Sequence, residues 1–125
     1  QMKVSLAKEA LEMAYFRRRP GKGLLHHSDR GSQYAAHQYQ DQLKQYGMTC
    51  SMSRKGDCWD NSVVESFFHR LKTECTHQKR YLSREEARAD VIDYIEMFYN
   101  SNRLHSTLGY VSLNDFENEI RKNAA

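Results

Sequence analysis

No stretch of this sequence approaches the roughly 20 consecutive apolar residues that cross a bilayer. Its first residues show neither the apolar core nor the small-residue cleavage site of a secretory signal. A membrane protein or a secreted one is therefore not expected, and a cytoplasmic protein is. Cysteine is scarce as well: Cys50, Cys58 and Cys75 form an odd, unevenly spaced set. That argues against a disulfide framework and predicts free thiols in a reducing compartment. There is no internal repeat and no low-complexity segment, and the GKG at residues 21–23 lacks the rest of a phosphate-binding loop.

What is present suits one domain: 125 residues, 39% of them hydrophobic, can bury an ordinary core. The charge is uneven along the chain. Residues 1–80 carry fourteen Lys or Arg against eight Asp or Glu, net +6, whereas residues 81–125 carry five against eight, net −3. Basic clusters lie at Arg17, Arg18, Arg19 and Lys22, at Arg54 and Lys55, and at Lys79 and Arg80. Each can contact phosphates by displacing counterions, and each is explained equally well as solvated surface.

Periodicity predicts an amphipathic helix from Val4 to Arg18, with Leu6, Ala10, Met13 and Ala14 at helical spacing and Pro20-Gly21 as terminator. Leu24 and Leu25 open a short strand into HHSD, with His26 and His27 facing opposite ways. A helix over 35–46 ends at Gly47, and Met48 to Met52 reads as a second strand. Arg54 to Asp60 reads as a mobile loop, and a long helix starts near Asn61. Ser83 with Glu86, and Ser112 with Asp115, read as capping boxes of two further helices, the first running to about Asn100 with Ala87, Val91, Tyr94, Ile95 and Phe98 on one face. Two strands are few for a sheet that needs partners.

Two carboxylates stand out. Asp29 lies where the first strand gives way to Arg30-Gly31-Ser32, the place where open α/β sheets put ligands. It can hold Mg²⁺ or Mn²⁺, which prefer oxygen ligands and keep several waters. For a lone Asp, capping a turn is the commoner role. Glu65 is placed by helical geometry: at about 100° per residue, Val63, Val64, Phe67, Phe68, Leu71 and Cys75 share one arc. Asn61, His69, Lys72 and Thr76 lie near Glu65 on the other side. Glu65 as metal ligand, Lys72 as phosphate or base contact and Asn61 at the helix entry form one reading; an exposed face with a weak Glu-Lys relation is the other.

HHSDRGSQY followed by DNSVVESFFHRLKTE resembles the last two blocks of the catalytic core of OrfB-type insertion-sequence transposases, relatives of retroviral integrases. Thirty-five residues separate Asp29 from Glu65, the gap characteristic of that family. YLSREEARADVIDYIEMFYNSNRLHSTLGY is similar to its C-terminal helical segment, so the resemblance runs from about Lys3 to Glu119. It implies a truncated RNase H-like α/β fold, with two core strands and about five helices. Residues 3–80 would be core and 81–123 the helical segment, and the first three strands with the first Asp would lie upstream of Gln1. It further implies that Asp29 and Glu65 are the second and third acids of a DDE triad and that Lys72 contacts transposon-end DNA. Arg30, Arg54, Lys55 and Asn61 are further candidate DNA contacts. Two metal ions about 4 Å apart would serve strand cleavage and strand transfer on DNA ends and target. With two acids present, the piece alone is expected to be inactive, with no ion necessarily bound. Leu113 stands where the family has a proline at the first turn of the last helix.

Two other functions compete. A zinc module would draw on His26, His27, Cys50, Cys58, His69, Cys75 and His77, but their spacing matches no ligand pattern. A non-catalytic remnant that binds DNA or itself is the other, and an unpaired edge on the Leu24 to Asp29 strand predicts a homo-oligomer.

Overall fold

A computed structural model describes residues 2–55 and 57–124 of the chain, without the side chain of Cys58, so the zinc expectation for Cys58 lies outside the described residues. The chain divides into two compact units, Gln1–Val63 and Val64–Ala125.

The first unit starts with α1 (Val4–Arg18), followed by β1 (Leu25–Ser28), α2 (Ser32–Ala35), α3 (His37–Gln45) and β2 (Thr49–Met52). The strands pair in parallel, from Leu25 opposite Thr49 to Ser28 opposite Met52. A parallel pair needs a crossover, and α2 with α3 supplies it. Helix α3 ends because Gly47 takes a left-handed φ of 67°. There the Met48 amide reaches the Leu43 carbonyl at 2.9 Å and the Gly47 amide reaches that of Lys44 at 3.0 Å.

The expected helix over 35–46 is interrupted at Ala36, which is extended. Gln40 compensates, its Nε2 donating to the stranded Tyr34 carbonyl at 2.7 Å. The core of this unit is Ala7 and Leu11 of α1 against Tyr39 and Leu43 of α3, with Val4, Tyr34, Tyr46 and Met48 around them. Both helices therefore bury an i, i+4 pair, and burying a leucine as fully as Leu43 contributes about 1.5–3 kcal/mol.

The face expected to be buried on α1 was the neighbouring one. Leu6, Ala10, Met13 and Ala14 are all exposed. Apolar residues surround this helix, so spacing alone offered more than one stripe, and packing against Tyr39 and Leu43 selected the one bearing Ala7 and Leu11.

The second unit is helical, with α4 (Ser62–Leu71) entering it, then α5 (Arg84–Asp93) and α6 (Leu113–Ala124). Both serines cap their helices, but among the described residues neither box closes onto the serine's own amide, Glu86 accepting instead from the Leu82 amide at 2.7 Å. Ser83 Oγ accepts the Glu86 amide at 3.1 Å, and Ser112 Oγ accepts the Asp115 amide at 3.1 Å while donating to its carboxylate at 2.7 Å. Each of the first two helices then widens into a π turn, over Lys72–Thr76 and Tyr94–Tyr99. The His77 amide bonds the Lys72 carbonyl at 2.7 Å and the Asn100 amide that of Ile95 at 2.9 Å, both at i+5 spacing.

This wider turn corrects an expectation built on 100° per residue. Tyr99, not Phe98, is the residue buried at the end of the α5 segment. Along the α4 segment Cys75 is buried, but Val63, Val64 and Phe68 of the arc expected to be covered are exposed. An aromatic cluster centres on Tyr99, with Phe67 edge-on at 4.9 Å and His105 at 5.4 Å. His105 also bridges Val111 in antiparallel fashion before α6.

Candidate metal and nucleic-acid site

The carboxyl end of the strand pair positions Asp29. Ser28, the last residue of β1, is buried and donates its hydroxyl to the Asp29 carbonyl at 3.0 Å. Asp29 Oδ1 accepts the Gly31 amide at 2.7 Å, and its Oδ2 makes no hydrogen bond among the described residues. Turn-capping and ligand-holding are thus not exclusive: one oxygen of this exposed residue closes the turn and leaves the other without a bond among the described residues. Gly31 lets these side chains close in, since a β-carbon there would lie 2.6 Å from Gln33 Nε2 and 2.9 Å from Asp29 Oδ1, and both side chains would have to shift.

The two strand ends are clamped together. The Ser53 amide continues the ladder to the Ser28 carbonyl at 2.9 Å, and Arg30 Nε donates to the Ser53 carbonyl at 2.8 Å. Beyond Ser53 the chain was expected as a loop without regular structure. Among the described residues it is closed instead: Arg54 donates its amide to Asp60 at 2.9 Å, and its guanidinium reaches Asp57 at 2.7 Å and Asp60 at 3.5 Å. Asp57 also accepts the Trp59 amide at 3.2 Å and so caps a 3₁₀ turn over Cys58–Asn61. The Arg54 amide and guanidinium hold the Asp60 carboxyl below the usual carboxylate range.

Five residues singled out in the sequence, Asp29, Arg30, Arg54, Lys55 and Asn61, consequently line one cleft, together with Ser53 and Asp57. Asn61 belongs to the 3₁₀ turn and not to α4, so the helical phase that grouped it with Glu65 and Lys72 does not apply to it. Ser53, Asp57 and Asp60 were missed as architects of this cleft. An Asx-type turn signal at Asp57-Cys58-Trp59 was available in the sequence.

Glu65 lies in the first turn of α4, exposed, where a carboxylate opposes the positive end of the helix dipole. Lys72 is exposed and opens the π turn. These two belong to the second unit, whereas the five that line the cleft belong to the first. Among the described residues, no three His, Cys, Asp or Glu side chains gather as a metal-holding group. His26 and His27 do face opposite ways. His26 Nε2 shares a 2.9 Å hydrogen bond with the Tyr39 hydroxyl, and exposed His27 meets Ser51 Oγ at 3.0 Å. Burial lowers the pKa of His26 and raises that of Tyr39 to about 12.

Two carboxylate networks in the second unit had no sequence signal. Asp90 accepts Lys79 Nζ at 2.8 Å, the Tyr81 hydroxyl at 2.6 Å and the Cys75 thiol at 3.4 Å. The Lys79 and Tyr81 bonds pull its pKa down to about 2. Glu74 accepts the Tyr94 hydroxyl at 2.7 Å, and both its oxygens meet Arg103 Nη1 at 2.6 and 2.7 Å. These networks bind helical segments together. Cys75, a free thiol like Cys50, is pushed up in pKa chiefly by burial.

Residues 1–58 match a model of the integrase core domain, and residues 65–120 match a second integrase core model. Over 119 residues the chain is 49% identical to "Transposase InsF for insertion sequence IS3A" of Escherichia coli K12, covering 95% of this chain and 41% of that protein. It is 46% identical over 125 residues to "Insertion element IS600 uncharacterized 31 kDa protein" of Shigella sonnei, covering 100% of this chain and 46% of that protein. The chain thus spans less than half the length of these curated relatives.

Proposed function

Because this chain belongs to the integrase core family, with its mixed α/β, RNase H-like fold, we propose that it forms part of an insertion-sequence transposase that cleaves and joins DNA strands. The observation that carries this reading is the cleft at the carboxyl end of β1, where Asp29 keeps one carboxylate oxygen open beside Arg30, Lys55 and Asn61. An open, exposed carboxylate oxygen suits Mg²⁺ or Mn²⁺, which bind through one or two protein carboxylates and retain waters. Glu65, with 35 residues between it and Asp29, is the second proposed ligand.

When bound, two such ions would supply Lewis-acid activation of a water or 3′-hydroxyl and neutralise charge on the leaving oxygen. The chain's own groups bind and orient the DNA. Lys55 presents an exposed ammonium to a phosphate at the cleft, and Asn61 offers an amide to its oxygens. Arg30 holds the strand ends by its Nε, leaving its terminal nitrogens to the DNA. Arg54 has the smaller share, since Asp57 and Asp60 already engage its guanidinium. Lys72 contacts the transposon end from the second unit. The family site calls for three acids, so these 125 residues by themselves carry the site without the activity. They work in the cytoplasm, at the nucleoid.

Manganese titration followed by amide NMR tests the metal sites directly. Paramagnetic broadening is expected at residues 29–31 and around Glu65, lost at the first set in Asp29→Asn and at the second in Glu65→Gln. Broadening elsewhere alone would sink the assignment. Mg²⁺-dependent nicking by the 125-residue chain, abolished by the same two substitutions, would refute its inactivity.

A self-associating role is the second reading. It is favoured by Leu25 at 60% exposure on β1 of a strand pair that has no third partner among the described residues. A monomeric mass by light scattering at micromolar concentration would dismiss it. No described helix is long and apolar enough to cross a membrane.

A further inference from the structure

We propose that the end of α1 is a second DNA-contact surface, formed by Phe16, Arg17, Arg19 and Lys22 at the opposite edge of the strand pair from Asp29. It rests on the reading of DNA as substrate, but on none of the residues of the Asp29 cleft. Residues 13–28 contain four cations, Arg17, Arg18, Arg19 and Lys22, and no acid.

The structure puts these charges on a fixed support. Arg19 donates its amide to the Tyr15 carbonyl at 2.7 Å, and the Gly23 amide reaches the Gly47 carbonyl at 2.7 Å. The Lys22 stem lies over Gly47, where a β-carbon would come within 3.2 Å of its Cγ. Neither Arg19 nor Lys22 is held in an ion pair among the described residues.

Arg17 and Arg18 sit in the last turn of α1, where cations answer the helix dipole in any protein. That explanation does not extend to Arg19 and Lys22, which lie beyond the helix. Arg19 moreover adopts a left-handed φ of 43°, a conformation that glycine takes at least cost. A side chain is therefore carried where the backbone disfavours one.

Phe16 adds an apolar face. It is 53% exposed and held edge-on by a Tyr15–Tyr46 pair stacked at 3.8 Å. Cations flanking an exposed ring match a nucleic-acid backbone, with phosphates on the charges and deoxyribose against the ring.

The location gives the surface its use. Loop 19–23 enters the amino edge of the parallel pair and Asp29 leaves the carboxyl edge. Four-residue strands separate those edges by roughly 10–13 Å. With phosphates spaced about 3.4 Å along each strand, a duplex following the pair meets both edges within about three or four nucleotides. The α1 surface would grip DNA flanking the segment held at the cleft.

Fluorescence anisotropy of a labelled duplex of arbitrary sequence, titrated at several salt concentrations, tests this. Arg17→Gln, Arg19→Gln and Lys22→Gln combined should lower the slope of log affinity against log salt by roughly 2–3 and weaken binding about tenfold or more near 0.1 M salt. Lys3→Gln, Lys8→Gln and Lys44→Gln, which remove the same charge from the same unit, should stay close to the parent.

Arg19→Gly with Lys22→Gln, whose glycine suits the left-handed backbone, should lower the slope by about 2 without any change in circular dichroism. Equal weakening by the Lys3, Lys8 and Lys44 control would overturn the proposal, as would an unchanged slope in the α1 variants. A change in self-association mass with DNA affinity intact would also overturn it, making the surface a protein contact. If the parent chain binds no DNA the surface is likewise rejected, whereas the manganese experiment still decides Asp29 and Glu65 independently.

Discussion

The two units of this chain hold themselves together by different means. The first closes on an apolar core of Ala7, Leu11, Tyr39 and Leu43 beneath a parallel strand pair. Among the described residues of the second, only Cys75, Tyr99 and Ser112 are buried, and its helices are joined by the carboxylates of Asp90 and Glu74. A packed layer fixes backbone positions tightly, which suits the unit that must aim Asp29, Lys55 and Asn61 into one cleft. Solvent-accessible ion pairs are individually weak, so the second unit depends on several acting through shared acceptors.

The sharpest way to break this contrast is Leu43→Ala. Leu43 is 1% exposed, and removing a core leucine costs about 2–5 kcal/mol. Hydrogen exchange should show the amides of β1, β2 and α3 losing protection while those of α5 and α6 keep theirs. Equal loss in both units would mean they unfold as one cooperative body.

A smaller effect belongs to the second unit. Ser112 is 1% exposed, caps α6 through the Asp115 amide and receives no help from a proline at Leu113. Ser112→Ala should cost about 1 kcal/mol, read as a urea midpoint shift confined to α6 amides. No shift would show that tertiary packing, not the cap, holds that helix.

These two sites also show what the sequence makes legible. Both serine caps were readable because their partners lie three residues apart. Gly47 was readable because a left-handed helix end has few alternatives. Asp29 at a strand end was readable for the same local reason. The buried face of α1 was not, because apolar residues ring the helix and only Tyr39 and Leu43, some thirty residues on, choose among them. Nor were the networks, whose partners are 9 to 29 residues apart. The π turns defeated the helical phase itself, displacing burial from Phe98 to Tyr99.

Acid should separate the units more gently. His26 has a folded pKa below its ordinary 6.5 because burial disfavours the imidazolium. The unfolded chain then binds more protons, so this contribution is complete above pH 6.5 and is lost as pH falls below it. Asp90, held at about 2 against an ordinary 3.8, contributes stability that persists until pH falls below about 4 and disappears toward 2. Exchange protection in the first unit should therefore begin to decline near pH 6, and that of the Lys79–Asp90 region only below 4. His26→Phe should flatten the upper phase and Asp90→Asn the lower; either substitution altering both phases would contradict separate control.

The smallest expected change runs against the usual direction. Arg19 holds a left-handed backbone, which costs a residue with a β-carbon roughly 1–2 kcal/mol. Glycine removes that strain but gives the unfolded chain about 0.5–1 kcal/mol of extra entropy to lose. Arg19→Gly should therefore stabilise the first unit by about 0.5 kcal/mol, provided the side chain contributes nothing to the fold. The same variant should weaken DNA binding. A chain that becomes slightly more stable and binds DNA less well carries Arg19 for contact, not for structure. A loss of stability on Arg19→Gly would instead place the guanidinium among the supports of the α1 end.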